Sequence, residues 1–339
     1  MSEDGVSGKG GFVTSADVAR HAGVSRSAVS RTFTPGASVS AAVREKVTKA
    51  AEELGYSVNR LARGLHANRS DLIAIVASNL AEPFIASQLD ALSAALMERG
   101  QPTLLLNAGA RDMSALMTLV LEYRVRAVIV LSGAPPTEIV EQCLKGRQRM
   151  ILVNREAQGA TVDIVRTQDI AGSRLAAEHL MSGGRRRLAV IRSGSETPTR
   201  LRRAAGFCDR LAEAGLTALE WAQGREDYDA GAMAARALLG PDGVAPDLEA
   251  AFCVTDRTAL GFLNTARHEL GVSVPDRLAV VGFDGIAEAA WASHGLSTVA
   301  QSIPDFVAAV VSILDTPRGE DARGQERLVP VELLRRGSS

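Results

Sequence analysis

Four residues in one short segment, Arg26, Ser27, Ser30 and Arg31, have the types and spacing to read a nucleic acid. Taken as a helix, the segment pairs Arg26 with Ser30 and Ser27 with Arg31 at i, i+4, all on one surface. A guanidinium can bond both major-groove acceptors of a guanine at once, and hydroxyls suit bases or phosphates. A second set lies at the ends of later apolar runs: Ser78, Asn79, Glu82, Asn154, Arg155, Arg202, Arg203, Tyr228, Thr255, Asp256, Asp284 and Gln301. An acid, a base, an amide and an aromatic ring meeting in one cleft suit a polyhydroxylated ligand, through bidentate hydrogen bonds and ring stacking. For Asp256 the favoured reading is a cap on the helix that follows it.

The first set needs a small helical scaffold. Residues 1–12 are rich in Gly and Ser and read as a disordered tail. Thr14 or Ser15 caps a helix to about Ala22, and Gly23 supplies a turn. Ser25 caps a second helix to about Phe33, which Thr34, Pro35 and Gly36 stop. Ser40 caps a third to Leu54, with Val43, Val47, Ala50, Ala51 and Leu54 at helical spacing and Gly55 as its stop. Neither of the first two helices is stable alone; packed on a shared core they form a helix-turn-helix that presents the second helix outward. The next stretch, "YSVNRLARGLHANRS", carries Asn59, Arg60, Arg63 and Arg69 around Leu61 and Leu65. It has too little apolar surface for a core helix. It reads as a hinge that orders on DNA, with Leu65 as a minor-groove wedge, or as an ordinary basic linker.

The second set needs strands to carry it. "LIAIVAS", "TLLLNA", "AVIVLS" and "MILVN" read as buried parallel strands separated by helices. The rhythm repeats after "VDIVRT", with strands at Leu188–Arg192, Ala250–Thr255 and Leu278–Gly282. Two such runs mean two doubly wound α/β lobes, with the ligand cleft at the carboxyl ends of their strands. The last segment, from Ser297, crosses between lobes.

Charge separates head from body. Residues 1–70 carry ten Lys/Arg against six Asp/Glu, a net of +4, and the remainder carries 28 against 33, a net of -5. The basic head is the part that meets an anion. Three scattered cysteines offer neither a disulfide framework nor metal spacing, and no cofactor is expected. The N-terminus has no signal-peptide pattern and no apolar run reaches the ~18 residues of a membrane span, so the expected location is the cytoplasm, without membrane association. GxGxxG after a strand, GxxxxGK[ST], GxSxG and HExxH are all absent, which argues against an enzyme.

The segments "VTSADVARHAGVSRSAVSRTF" and "VSAAVREKVTKAAEELGYSVNRLARGL" closely resemble the DNA-binding head of the lactose-repressor/galactose-repressor (LacI/GalR) family of bacterial transcription regulators, and the similarity continues to about residue 334. The resemblance implies that Arg26 and Ser27 are the principal base readers and that Ser30 and Arg31 make further DNA contacts. It implies phosphate contacts at Thr14, Ser25 and Ser40 and a minor-groove leucine at Leu65; Asn59 and Arg60 of the basic hinge are expected to contact DNA beside it. It implies effector contacts at Ser78, Asn154, Arg203, Tyr228, Thr255, Asp284 and Gln301, with Arg203 one position from Arg202. Ala28, Gly64, Thr255 and His294–Gly295 depart from the family's usual residues.

The implied architecture is a helix-turn-helix domain over 13–57, a hinge over 58–70 and a two-lobed periplasmic-binding-protein-like domain over 71–339. Lobe 1 is expected over about 71–166 plus 297–325, and lobe 2 over about 167–296 plus 326–339. The expected function is a homodimeric regulator, most simply a repressor, on a near-palindromic operator. A sugar or sugar derivative between the lobes would set its operator affinity; a nucleobase co-repressor is the alternative. A solute-binding protein is argued against by the basic head. The ending "VELLRRGSS" lacks the leucine heptad of family tetramers, so assembly is expected to stop at a dimer.

Overall fold

The computed structural model describes residues 12–34, 36–57, 70–109, 112–132, 135, 137–155, 162–224, 228–317, 319 and 323–339. The chain divides into two compact units, Met1–Ser70 and Asp71–Ser339. The hinge residues Asn59, Arg60 and Leu65 lie outside the described residues.

The first unit is three helices on one small core. Helix α1 (Ser15–Ala22) opens with a capping box: Thr14 and Asp17 satisfy each other's backbone N–H. Helix α2 (Arg26–Thr32) is capped by Ser25 and α3 (Ala41–Leu54) by Ser40. Gly23 and Gly55 take the left-handed conformation that ends α1 and α3, with φ of 64° and 66°. Val18, Ala19, Val29, Val47, Ala50 and Ala51 form the buried core, flanked by Phe33 and Tyr56. Arg44 donates to the Thr32 carbonyl at 2.9 Å and so ties α3 to the end of α2.

The second unit holds two six-stranded sheets. In the first the order is β11-β5-β4-β3-β1-β2. Its strands are β1 (Ile73–Ala77), β2 (Thr103–Asn107), β3 (Ala127–Val130), β4 (Arg149–Val153), β5 (Asp163–Thr167) and β11 (Glu326–Val329), all parallel. The second runs β12-β10-β9-β8-β6-β7. It comprises β6 (Leu188–Arg192), β7 (Leu219–Ala222), β8 (Ala250–Cys253), β9 (Ala279–Asp284), β10 (Ser297–Gln301) and β12 (Val331–Leu334), and β12 alone is antiparallel. Helices α4 (Pro83–Glu98), α5 (Met113–Glu122), α6 (Thr137–Lys145) and α11 (Ile303–Asp315) surround the first sheet. Helices α7 (Asp169–Ser182), α8 (Pro198–Glu213), α9 (Tyr228–Leu239) and α10 (Asp256–Asn264) surround the second. Central strands buried on both faces explain their near-continuous apolar runs.

The chain passes between lobes just after β5, β10 and β11. This revises the expected lobe boundaries, which put 297–325 in the first lobe and 326–339 in the second. β10 pairs with β9 in the second sheet, and β11 pairs with β5 in the first. A segment that switches sheets twice within 38 residues (297–334) carries no compositional mark of which edge it joins. Strand β7 was also not anticipated. It is a four-residue edge strand, with Leu219 and Glu220 exposed and no apolar run. The helix that begins at Asp256 is α-helical only to Asn264 and continues as a π-helical turn over Thr265–Glu269.

Candidate functional site

In the first unit, Arg26, Ser27, Ser30 and Arg31 are all exposed on α2. Thr14, Ser25 and Ser40 are exposed too, each as the N-cap of one helix. A helix N-terminus with free N–H groups and a hydroxyl favours a phosphate. Ser25 Oγ and Ser27 Oγ lie 2.9 Å apart, so the first turn of α2 presents a hydroxyl pair beside Arg26.

In the second unit a cavity of about 280 Å³ opens at the carboxyl ends of strands from both sheets. From the first lobe it is lined by Ser78 and Asn79 after β1, Glu82, Phe84, Ile85 and Gln88 at α4, Ser132 after β3, and Asn154 and Arg155 after β4. From the second it is lined by Thr197, Thr199, Arg200 and Arg203 at α8, Thr255 and Arg257 at α10, and Asp284 at the end of β9.

Most of these side chains are held by the protein. Arg203 is 3% exposed and donates from Nε to Asp169 at 2.9 Å, and from Nη1 to Asp284 and to the Val254 carbonyl, each at 2.8 Å. Its guanidinium lies 3.7 Å from the Phe283 ring centre. Gln301 Nε2 donates to Asp284 at 2.8 Å, and Gln301 Oε1 accepts from Thr167 at 2.6 Å. The Thr167 N–H donates to Asn154 Oδ1 at 2.7 Å. One chain of hydrogen bonds therefore runs from Asn154 in the first lobe to Asp169 in the second, through the ends of the crossing strands β5 and β10. Ser78 is tied to Ser132 at 2.9 Å.

Local sequence explains this geometry. Asn79 and Asn154 have φ of 54° and 55°, the left-handed region that asparagine enters more readily than most side chains, and Asp284 has φ of 132°, a strained value that its surroundings must hold. Each turns the chain off its strand into the cavity wall. A Cβ on Gly206 would lie 2.9 Å from the Ile170 backbone, so this glycine lets α8 close on the start of α7, where Asp169 meets Arg202 and Arg203. Gly282 in "VVGFD" leaves room for the Asp256 carboxylate, whose Oδ1 would lie 2.1 Å from a Cβ there. Asp256 is fully buried and accepts from the N–H groups of Gly285 at 2.7 Å and Ile286 at 2.9 Å, and from the Thr298 hydroxyl. It braces the turn that follows Asp284. The expected role as a cap falls instead to Thr255, which accepts from the Thr258 N–H at 3.3 Å.

Of the expected ligand residues, Ser78, Asn154, Arg203, Thr255 and Asp284 line the cavity. Gln301 stands behind Asp284 and positions it. Tyr228 is not among the lining residues: it is 38% exposed at the start of α9, and its carbonyl packs against Gly261 of α10. Arg202 bonds Asp169 rather than lining the cavity. Sequence reasoning missed Asp169, two residues after "VDIVRT", Ser132, the last residue of "AVIVLS", and Arg200, none of which carried a pattern of its own.

Burial first, and then the charge of Asp284, push the Glu82 carboxyl up to about 7, against the pull of Arg257 and Arg200. Asp256 is pushed up to about 7 by burial and Asp284 despite its three donors. An acid that holds its proton more tightly when folded stabilises fully below its unfolded value and loses that contribution as pH rises through the folded one. Stability of the second unit is therefore expected to fall from about pH 4.5 to 7, by on the order of 1–3 kcal/mol for Glu82. Urea unfolding across this range checks it: Glu82→Gln should flatten the fall, and equal slopes in both proteins would refute the assignment.

Comparison with known proteins supplies the context. Residues 14–59 match the family model of bacterial regulatory proteins, lacI family, and residues 177–339 match that of a periplasmic binding protein-like domain. The HTH-type transcriptional regulator CelR of Thermobifida fusca is 33% identical over 297 residues, 84% of this chain and 85% of the relative. The structure of the lac repressor dimer bound to operator and the anti-inducer ONPF superposes with a TM-score of 0.84 at 25% identity, covering 97% of this chain and 99% of that one. A CelR–cellobiose complex superposes with a TM-score of 0.69 at 29% identity, covering 96% and 100%. No described helix is long and apolar enough to cross a membrane. Likeness of this extent, running through both the helix-turn-helix and the two-lobed unit, makes the chain a member of the LacI family of bacterial DNA-binding transcription regulators.

Proposed function

We propose that the protein is a cytoplasmic repressor that binds a near-palindromic operator as a homodimer and responds to a sugar or sugar derivative bound between its lobes. The observation that carries this reading is the polar cavity at the strand ends of both sheets, joined by hydrogen bonds to the crossing strands β5 and β10. A ligand that touches both lobes favours one arrangement of them over another, and that difference is what couples to DNA affinity. A coupling of about 1–3 kcal/mol corresponds to roughly 5–150-fold regulation. Ser78, Asn154, Arg203, Thr255 and Asp284 contact the effector, and Gln301 holds Asp284. Phe84 is the one aromatic lining residue among those described, and it packs on the second lobe's core. The lining side chains described are otherwise mostly hydroxyl, amide and charged groups, which suit the many hydroxyls of a sugar, so a sugar is preferred to a nucleobase. The cellobiose complex of CelR supports the same preference.

DNA reading falls to α2, with Arg26 and Ser27 on bases, Ser30 and Arg31 beside them, and Thr14, Ser25 and Ser40 on phosphates. Hinge contacts by Asn59, Arg60 and Leu65 complete the proposal. Arg26→Ala is expected to cost about 1–3 kcal/mol on the operator and to relax one base position. Selection from random DNA with both proteins tests this. Recovery of one identical site by mutant and wild type would remove Arg26 as a reader.

A further inference from the structure

Two short segments of the second unit repeat one pattern. "EYRVR" closes α5 and leads into β3, and "KGRQR" closes α6 and leads into β4. Together they hold five basic residues against one acid, a net of +4 inside a body of net -5. The middle residues Val125 and Gln148 are buried, whereas Arg124, Arg126 and Arg147 are exposed. Gln148 Nε2 donates to the Val120 carbonyl at 3.2 Å, the Arg149 N–H to the Arg126 carbonyl at 3.3 Å, and the Arg126 N–H to the Leu72 carbonyl at 2.8 Å. The two segments are thus fixed side by side at the end of the first sheet where the chain enters this unit. Arg149 is the member held inside, by Asp163 at 2.7 Å and the Thr316 carbonyl at 2.6 Å. Arg124 and Arg147 have φ of 48° and 58°, the left-handed position after a helix that glycine usually fills. An arginine kept there, where glycine is easier, points to a use for its side chain. The other basic run of this unit, Arg185 to Arg187, is neutralised locally: Arg187 pairs with Asp247 at 3.1 Å and Glu249 at 2.9 Å, and Arg185 donates to the Pro275 carbonyl at 3.2 Å.

We propose that Arg124, Arg126 and Arg147 form a further DNA-contact surface, outside the helix-turn-helix, that bonds backbone phosphates without reading sequence. Exposed guanidiniums match phosphate oxygens in charge and geometry, and duplex DNA carries one negative charge per about 1.7 Å of its axis. The inference rests on the proposed seat of Leu65 in the minor groove. Six chain positions separate Leu65 from Asp71, and an extended chain of that length reaches about 20 Å at most. DNA bound at Leu65 therefore stays near the end of the sheet where Leu72 meets Arg126.

The experiment titrates the full chain, at several salt concentrations, onto a site recovered by selection from random DNA and onto an unrelated duplex. The triple variant Arg124→Gly/Arg126→Gln/Arg147→Gly should weaken binding to both duplexes by a similar factor, roughly tenfold or more at about 0.1 M salt. It should also flatten the slope of log affinity against log salt by about 2 or more, as expected for two or more phosphates released. It should melt no lower than wild type, because glycine relieves both left-handed positions. Arg124→Lys/Arg126→Lys/Arg147→Lys, which keeps the charge, should bind within about threefold of wild type with the same slope. Affinity within threefold and an unchanged slope in the first triple variant would overturn the inference. Weaker binding with an unchanged slope would overturn it too, since the arginines would then hold the chain and not phosphates. Leu65→Ala is measured separately. Unchanged operator affinity in Leu65→Ala, together with a flatter slope in the first triple variant, would remove the hinge reading and leave the phosphate surface standing.

Discussion

Arg203→Ala is expected to destabilise the second unit by about 3–5 kcal/mol, seen as a melting temperature lower by roughly 10 °C or more. Arg203 is buried between Asp169 and Asp284 and also satisfies the Val254 carbonyl. Its removal leaves Asp284 buried with Gln301 as its one remaining side-chain donor among the described residues, whereas Asp169 keeps Arg202. Charges that line a cleft and are solvated while it is empty would, on mutation, impair lobe closure more than folding. The structure places Asp169, Arg203 and Asp284 all within the second lobe, on α7, α8 and β9, so the loss falls on folding first. Arg203→Lys should recover little, because one ammonium cannot reproduce the planar fork. Arg202→Ala is the control: its guanidinium is 17% exposed and shares Asp169, and about 1 kcal/mol is expected of it. The double variant Arg203→Met/Asp284→Asn should recover part of the loss, since it removes both charges of the pair. A single-mutant loss under about 1 kcal/mol would show that Asp284 finds water or another donor, and would restore the closure reading.

Gly282→Ala should destabilise the same unit by about 3 kcal/mol or more. The added methyl would stand 2.1 Å from Asp256 Oδ1 and 3.2 Å from both the Asp256 Cα and the Ala259 Cβ. The carboxylate cannot move without releasing the Gly285 and Ile286 N–H groups and the Thr298 hydroxyl. The turn it braces follows Asp284, whose φ of 132° persists only while its surroundings impose it. The effect should thus reach the cavity as lost order at Asp284. Thermal unfolding gives the magnitude, and amide exchange at Gly285 and Ile286 gives the location. Unchanged protection of those two amides, with a stability change below about 1 kcal/mol, would mean that α10 simply shifts to admit the methyl.

The sequence by itself determined what depends on neighbours along the chain. Thr14, Ser25 and Ser40 as caps, Gly23 and Gly55 as stops and the apolar period of α3 specify the three-helix head, because capping and helical spacing act within a few residues. The buried runs at β1, β3, β4, β8 and β9 likewise announce parallel strands, and strand ends announce where a ligand cleft belongs. Only the tertiary structure decided which strand-end groups face the cavity and which hold others in place. Asp169 meets Arg203 across 34 positions, and Gln301 meets Thr167 across 134. Gly206 and Gly282 matter for the atoms packed against them, which no local pattern records. β10 and β11 exchange sheets for the same reason: edge pairing is a long-range choice, made by which partner strand lies open when the chain arrives. Glu82 looks in sequence like any acid before a helix, and it becomes distinctive only because folding places it on a cavity wall with its Oε1 buried and no described residue donating to it.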